Sequence, residues 1–225
     1  MLNDFFNLIF PKRCFACFNA LLKHEKLICT ACQYHLPKTN FHLDPQNKVY
    51  KVFWGRVNIE QASSYYFFSK GNKVQNLLHH IKYKKATAVA EKIGELYAFE
   101  LTNEGDFLNK IDLIIPVPLH KRKQKTRGYN QSEHFAKGIS KIAALPVQNN
   151  YLFRKVYTAS QTKKGRFKRW QNVVGGFYVK NAHELCNKHI LLVDDVITTG
   201  ATIEACVDAL KKCRCKVSVL FIACA

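Results

Sequence analysis

The sequence predicts an α/β fold, with a parallel-sheet domain over residues 46–225 and a small module over residues 1–45 ahead of it. Three observations carry that reading. Strand-like apolar runs alternate with helical stripes from the middle of the chain to its end. That order builds a parallel sheet with ligands at the carboxyl ends of its strands. One of the runs, Ile190-Leu191-Leu192-Val193, stops at two adjacent carboxylates and a turn of hydroxyls and glycine. Ahead of all this stand four cysteines in two C-x-x-C pairs. With 225 residues and 48% hydrophobic composition, the chain can fill one full domain and carry a small one beside it.

The cysteine pairs are Cys14-Phe15-Ala16-Cys17 and Cys29-Thr30-Ala31-Cys32, eleven residues apart. A single pair could be a redox dithiol. Two pairs at this spacing read as a zinc ribbon, each giving two thiolates to one side of a tetrahedral ion. About 40 residues are too few for a stable core, so a metal supplies what burial cannot. All four positions are sulfur, which leaves no place for a water, and the expected zinc is structural. His24 and His35 are expected at the surface. Cys206 and Cys224 lie in apolar patterns and read as packing residues.

Residues 46–70 carry alternating aromatic segments that read as strands. From Gly71 to Leu101 the pattern turns helical, with stripes Val74, Leu77, Leu78, Ile81 and Val89, Ile93, Leu96, Tyr97 separated by a basic turn at Lys82–Lys85. His79 and His80, on the first of these helices, have no acidic partner in the pattern. Ile111 to Val117 is a short strand that stops at Pro116 and Pro118. The loop after it, Leu119-His120-Lys121-Arg122-Lys123-Gln124-Lys125-Thr126-Arg127, is strongly basic. Such a loop beside a strand end suits a pyrophosphate, or is simply solvated. Asn130 can cap a helix that carries Glu133.

The last unit is the most specific. After Val193 come Asp194 and Asp195, then Thr198-Thr199-Gly200-Ala201-Thr202, then a helix with Ile203, Cys206, Val207 and Leu210 on one face. A strand–loop–helix unit aims backbone N–H groups and the positive end of a helix dipole at one spot, which suits a phosphate. Gly200 lets the backbone come close. The two carboxylates would repel a phosphate, so hydrogen bonding to ribose hydroxyls is their better use. A phosphorylated sugar fits both halves.

The segment Val193 to Thr202 resembles the phosphoribosyl-pyrophosphate (PRPP) motif of type I phosphoribosyltransferases. That resemblance implies Asp194 and Asp195 on the ribose, and Thr198, Thr199, Gly200, Ala201 and Thr202 on the 5′-phosphate. The layout as a whole resembles the ComF family, which joins a cysteine zinc ribbon to a phosphoribosyltransferase-type domain and is linked to DNA uptake. Four segments carry it besides the PRPP loop: the cysteine pairs; Ile81-Lys82-Tyr83; Pro116 to His120 with Arg127-Gly128-Tyr129-Asn130-Gln131; and Thr158 to Thr162 with Arg166, Arg169, Asn172, Gly175 and Phe177. The resemblance implies a hood over the site containing Gln161, Arg166, Arg169 and Asn172. It also implies a pyrophosphate-facing loop of Pro118, Leu119, His120, Lys121 and Arg122. Lys164 departs from the family's usual apolar residue.

The net charge is +19. Between Leu113 and His183 the only acid is Glu133. A field of this kind attracts polyanions. Single-stranded DNA is the expected polymer, on Lys121, Arg122, Lys123 and Lys125 and on the hood cations Lys163, Lys164 and Lys168. Trp170 among them is a stacking platform or a core anchor. The hood cations also suit closure over a leaving diphosphate, with a magnesium ion bridging PRPP. No run reaches the roughly 18 apolar residues of a membrane span, and no secretory pattern is present, so the expectation is a cytoplasmic protein. Two functions stay open. One is a PRPP-binding protein that supports DNA uptake together with uptake-machinery partners. The other is an active phosphoribosyltransferase with a nitrogen acceptor in nucleotide metabolism.

Overall fold

A computed structural model describes residues 11–155 and 176–225. The hood residues Gln161, Lys163, Lys164, Arg166, Lys168, Arg169 and Asn172 lie outside them, as does Trp170. Four strands, β1 (Ala62–Phe67), β2 (Leu113–Pro116), β5 (His189–Ile197) and β6 (Lys216–Cys224), form a parallel sheet in the order β1-β6-β5-β2. A separate antiparallel pair, β3 (Leu152–Arg154) and β4 (Phe177–Val179), flanks residues 156–175.

Period-two alternation splits the sheet's side chains between two cores. Ile114, Leu191, Val193, Leu220 and Ile222 point to one, and Ile115, Ile190, Leu192, Val219 and Phe221 to the other. Helices α3 (Lys73–Tyr83), α4 (Thr87–Asn103) and α6 (Gln131–Ala143) cover the first face. Helix α7 (Ala201–Leu210) covers the second, burying Ile203, Cys206, Val207 and Leu210 as its spacing predicts. The stripe Val74, Leu77, Leu78, Ile81 is likewise the buried face of α3. Crossovers on both faces are the architecture expected of a parallel sheet.

Helices α4 and α6 cross at two glycines. A Cβ on Gly138 would lie 2.8 Å from the backbone carbon of Glu91, and one on Gly94 would lie 2.9 Å from Ile139 N. The backbones therefore pack directly, bringing the start of α6 down onto the sheet edge.

The cysteine module does not stand apart. Cys14, Ala16, Ile28, Cys29, Cys32 and Leu36 share the first core with α3 and α4. Asn76 Nδ2 of α3 donates to Ala16 O at 2.8 Å. Helix α1 (Thr30–His35) begins inside the second cysteine pair.

Three local readings change. Residues 48–51 are a short helix, α2, rather than strand. Asn47 forces this: its side chain accepts from Val49 N and Tyr50 N at 2.9 and 3.0 Å, and donates to Ala62 O at 2.7 Å. The basic loop is helical over Lys121–Arg127, here α5. His120 caps it by accepting from Arg122 N at 3.2 Å, and Gly128 ends it at φ +79°. Strand β5 continues through both carboxylates to Ile197, so the phosphate-type loop narrows to Thr198, Thr199 and Gly200, and Ala201 and Thr202 open α7.

Candidate functional site

Register brings the two predicted loops to one edge. Pro116 of β2 lies beside Val193 of β5, and Val117 N donates to Val193 O at 2.9 Å. The chain leaves β2 through Pro118, Leu119 and His120 into Lys121 and Arg122 of α5, at the same end of the sheet as Asp194 and Asp195.

Both carboxylates are held. Ser132 Oγ donates to Asp194 Oδ1 at 2.8 Å, and the Asp195 backbone N–H donates to the same oxygen at 2.8 Å. Asp195 Oδ2 accepts from Gln131 Nε2 at 3.0 Å and pairs with Lys82 Nζ at 3.1 Å. Gln131 is itself oriented by Arg127 Nη1, which donates to its Oε1 at 2.9 Å. Asn130 positions these residues. It accepts from Ser132 N at the start of α6 and donates to Val117 O of the proline loop, both at 3.1 Å. One cap thus ties the proline loop to the helix that grips the carboxylates.

Burial and the neighbouring Asp195 charge push the Asp194 carboxyl up to about 7, against the pull of Ser132, the Asp195 N–H and Lys82. Two carboxylates side by side resist double ionisation, and Lys82 offsets part of that repulsion. Near neutral pH the pair can present both donors and acceptors, which suits a diol.

The loop after β5 is supported from a distant part of the chain. Gly200 has φ +74°, and a Cβ there would lie 2.8 Å from Val52 Cγ1 and 2.9 Å from Phe53 Cε1. Only glycine meets both demands at that turn. Arg56 donates to Thr199 O at 2.8 Å and pairs with Glu204 of α7. Thr198 and Thr199 are exposed, with their hydroxyls open to a ligand.

Beside the carboxylates is a cleft of about 420 Å³, lined by Lys82, Tyr83, Lys85, Arg122, Lys123 and Arg127 among others, with no acidic residue in its lining. Arg122 and Lys123, read in the sequence as polyanion contacts, fall here. Lys125 is exposed on α5 but outside this lining.

The four cysteine sulfurs lie within 4.8 Å of one another. Cys17 Sγ and Cys29 Sγ are 3.8 Å apart. Tetrahedral sites with metal–sulfur bonds of about 2.3 Å place sulfurs about 3.8 Å apart. Cys29 N and Ala16 N donate to Cys14 Sγ at 3.3 and 3.4 Å, as thiolate-holding turns do. The set can bind a metal such as zinc.

Lys82, Gln131, Ser132 and Arg56 are the residues sequence reading passed over as site members. Lys82 and Gln131 stood in segments that carried the family resemblance. Ser132 and Arg56 carried no local signal, because their partners are far away in the sequence.

The chain is similar to several known proteins. The Phosphoribosyl transferase domain family matches residues 125–225. Competence protein F of Haemophilus influenzae is 26% identical over 217 residues, covering 93% of this chain and 93% of its own length. Competence protein ComFC of Bacillus subtilis is 25% identical over 199 residues, covering 82% of this chain and 78% of its own. DNA utilization protein YhgH of Escherichia coli K12 is 26% identical over 193 residues, covering 84% and 80%. Among solved structures, glutamine PRPP amidotransferase from B. subtilis, complexed with ADP and GMP, aligns at TM-score 0.46 and 17% identity, over 65% of this chain and 30% of that one.

Proposed function

We propose that this chain, similar to competence proteins over most of its length, is a ComF-type protein that binds PRPP at the Asp194–Thr202 edge and handles single-stranded DNA during uptake, on the cytoplasmic side. The observation that carries the PRPP reading is the convergence of Lys82, Gln131 and Ser132 on Asp194 and Asp195, one short loop away from Gly200. Asp194 and Asp195 accept from the ribose hydroxyls. Thr198, Thr199 and the first N–H groups of α7 take the 5′-phosphate. The cations of α5 face the diphosphate, and a magnesium ion travels with it. Calorimetry with PRPP and magnesium tests this. Wild-type protein binds, and the double variant Asp194→Ala, Asp195→Ala loses binding; undiminished binding by that variant overturns the assignment.

Cys14, Cys17, Cys29 and Cys32 hold one structural zinc. The metal fastens residues that pack into the shared core, so its removal loosens the face formed by α3. Elemental analysis after reducing purification shows one zinc per chain; a fully folded metal-free protein refutes it. Uptake-machinery proteins are the expected partners.

The match of residues 125–225 to a transferase domain favours a second reading, in which a nitrogen nucleophile displaces pyrophosphate from PRPP. The cations would then stabilise the departing diphosphate. Pyrophosphate release screened against bases, ammonia and amines separates the two. Turnover with one acceptor favours the enzyme, and PRPP binding without turnover favours the DNA-handling protein.

A further inference from the structure

A row of rings runs along α3, outside the carboxylate site. Phe15 and Phe18, at the first cysteine pair, lie 5.0 and 5.8 Å from His80, measured between ring centroids. His80 is 6.0 Å from His79, and His79 is 5.2 Å from Tyr83. Arg127 closes the row, with its guanidinium 5.4 Å from the centre of the Tyr83 ring. Phe15 packs partly against the core. The buried stripe of α3 is Val74, Leu77, Leu78 and Ile81, and His79, His80 and Tyr83 occupy other positions of the same helix. Tyr83 is 64% exposed and Phe18 44% exposed. Phe18 also has φ +64°, a conformation bulky residues rarely adopt, so the turn after Cys17 holds this ring at the surface.

Single exposed rings need no explanation. A continuous row ending in a cationic cleft does. Lys82 in the last turn of α3 and Lys84 and Lys85 just beyond it stand at the end of the row, and Arg122, Lys123 and Arg127 of α5 line the same cleft as Lys82 and Lys85. Aromatic faces interleaved with cations are the means by which proteins bind single strands: bases stack, and phosphates pair. Lys82 then connects the end of the row to Asp195 at 3.1 Å.

We infer that single-stranded DNA lies along α3, from the turn after Cys17 to the cleft beside Asp195, with Tyr83 backed by Arg127 as its principal stacking platform. This rests on the DNA-handling half of the function proposed above and assigns that half a path. The cysteine module then has a direct role, since it supplies Phe15 and Phe18 to the far end of the track. The path also places a strand end next to the ribose-phosphate site.

Fluorescence anisotropy with the full chain tests the path, using a labelled oligothymidylate and an abasic deoxyribose-phosphate strand of equal length across a salt series. Wild type binds the thymidine strand more tightly than the abasic one. Tyr83→Ala weakens thymidine binding about 5- to 100-fold, as loss of one stacked base does, and erases the difference between the strands. Tyr83→Trp restores both. The log–log salt slope stays unchanged in Tyr83→Ala, because no phosphate contact is lost, whereas Arg122→Ala or Lys123→Ala lowers it by about 0.7 each. Equal affinity for the two strands, or a Tyr83→Ala variant that binds like wild type, overturns the path and leaves DNA handling standing. No binding of either strand by wild type overturns DNA handling itself.

Discussion

Lys82 Nζ lies 3.1 Å from Asp195 Oδ2, joining the last turn of α3 to the end of β5. The pair joins two layers: α3 is the helix on which the cysteine module docks, and β5 carries the two adjacent carboxylates. A cation at this point offsets part of the repulsion between the two adjacent acids.

Removing that cation should therefore change pH dependence more than shape. In Lys82→Met the Asp194 carboxyl, already raised to about 7 by burial and Asp195, loses an opposing charge and rises further. If the ionised pair holds the ribose, the midpoint of PRPP affinity against pH moves up by about one pH unit, and affinity at neutral pH falls about fivefold. Calorimetry from pH 6 to 9 checks this. A profile that simply drops, with its midpoint in place, would show that Lys82 contacts the ligand without tuning the acids.

The same carboxyl sets a stability trend. From its ordinary value of 3.8 up to about 7, the folded chain keeps a proton on Asp194 that the unfolded chain has lost. Stability from this group therefore falls as pH rises through that window and is level above it. Asp194→Asn lacks the slope. It should exceed wild type by about 1–2 kcal/mol at pH 8, after solvent screening is allowed for, and lose the advantage near pH 4. Urea denaturation at both pH values measures the difference.

Gly138→Ala should be among the most disruptive single methyl additions, since its Cβ would enter the backbone of Glu91. Separation of α4 and α6 costs about 1–3 kcal/mol or more. It also lifts Gln131 and Ser132 away from the carboxylates. Thermal unfolding should show the loss, and PRPP affinity should fall with it. Gly94→Ala acts in the same direction.

Arg56→Ala separates loop support from stability. Arg56 is partly exposed and bonds to Thr199 O and Glu204. Its loss should cost at most about 1 kcal/mol of stability. PRPP affinity should fall several-fold, and ribose binding without a 5′-phosphate should not change. Equal losses for ribose and ribose 5-phosphate would exclude the loop role.

The strand–loop–helix unit, the buried stripes of α3 and α7, and the paired cysteines were all legible in the sequence, because each depends on neighbours within about twenty residues. Hydrophobic period, a glycine at a tight turn and ligand spacing are local properties. Helix α5 and the short helix after Asn47 were not legible. Their caps, His120 and Asn47, compete with a basic run and an aromatic run that read otherwise, and Asn47 acts partly through Ala62 O. The grip on Asp194 and Asp195 was decided only in three dimensions. Lys82, Gln131 and Ser132 come from two helices, and what brings them to β5 is the strand order and the glycine crossing of α4 on α6. The sequence by itself determined which chemical groups the chain has to offer a phosphorylated sugar. The packing of helices against the sheet decided which of them meet, because a side-chain contact across 50 or more residues is specified by the whole core and by no segment of it.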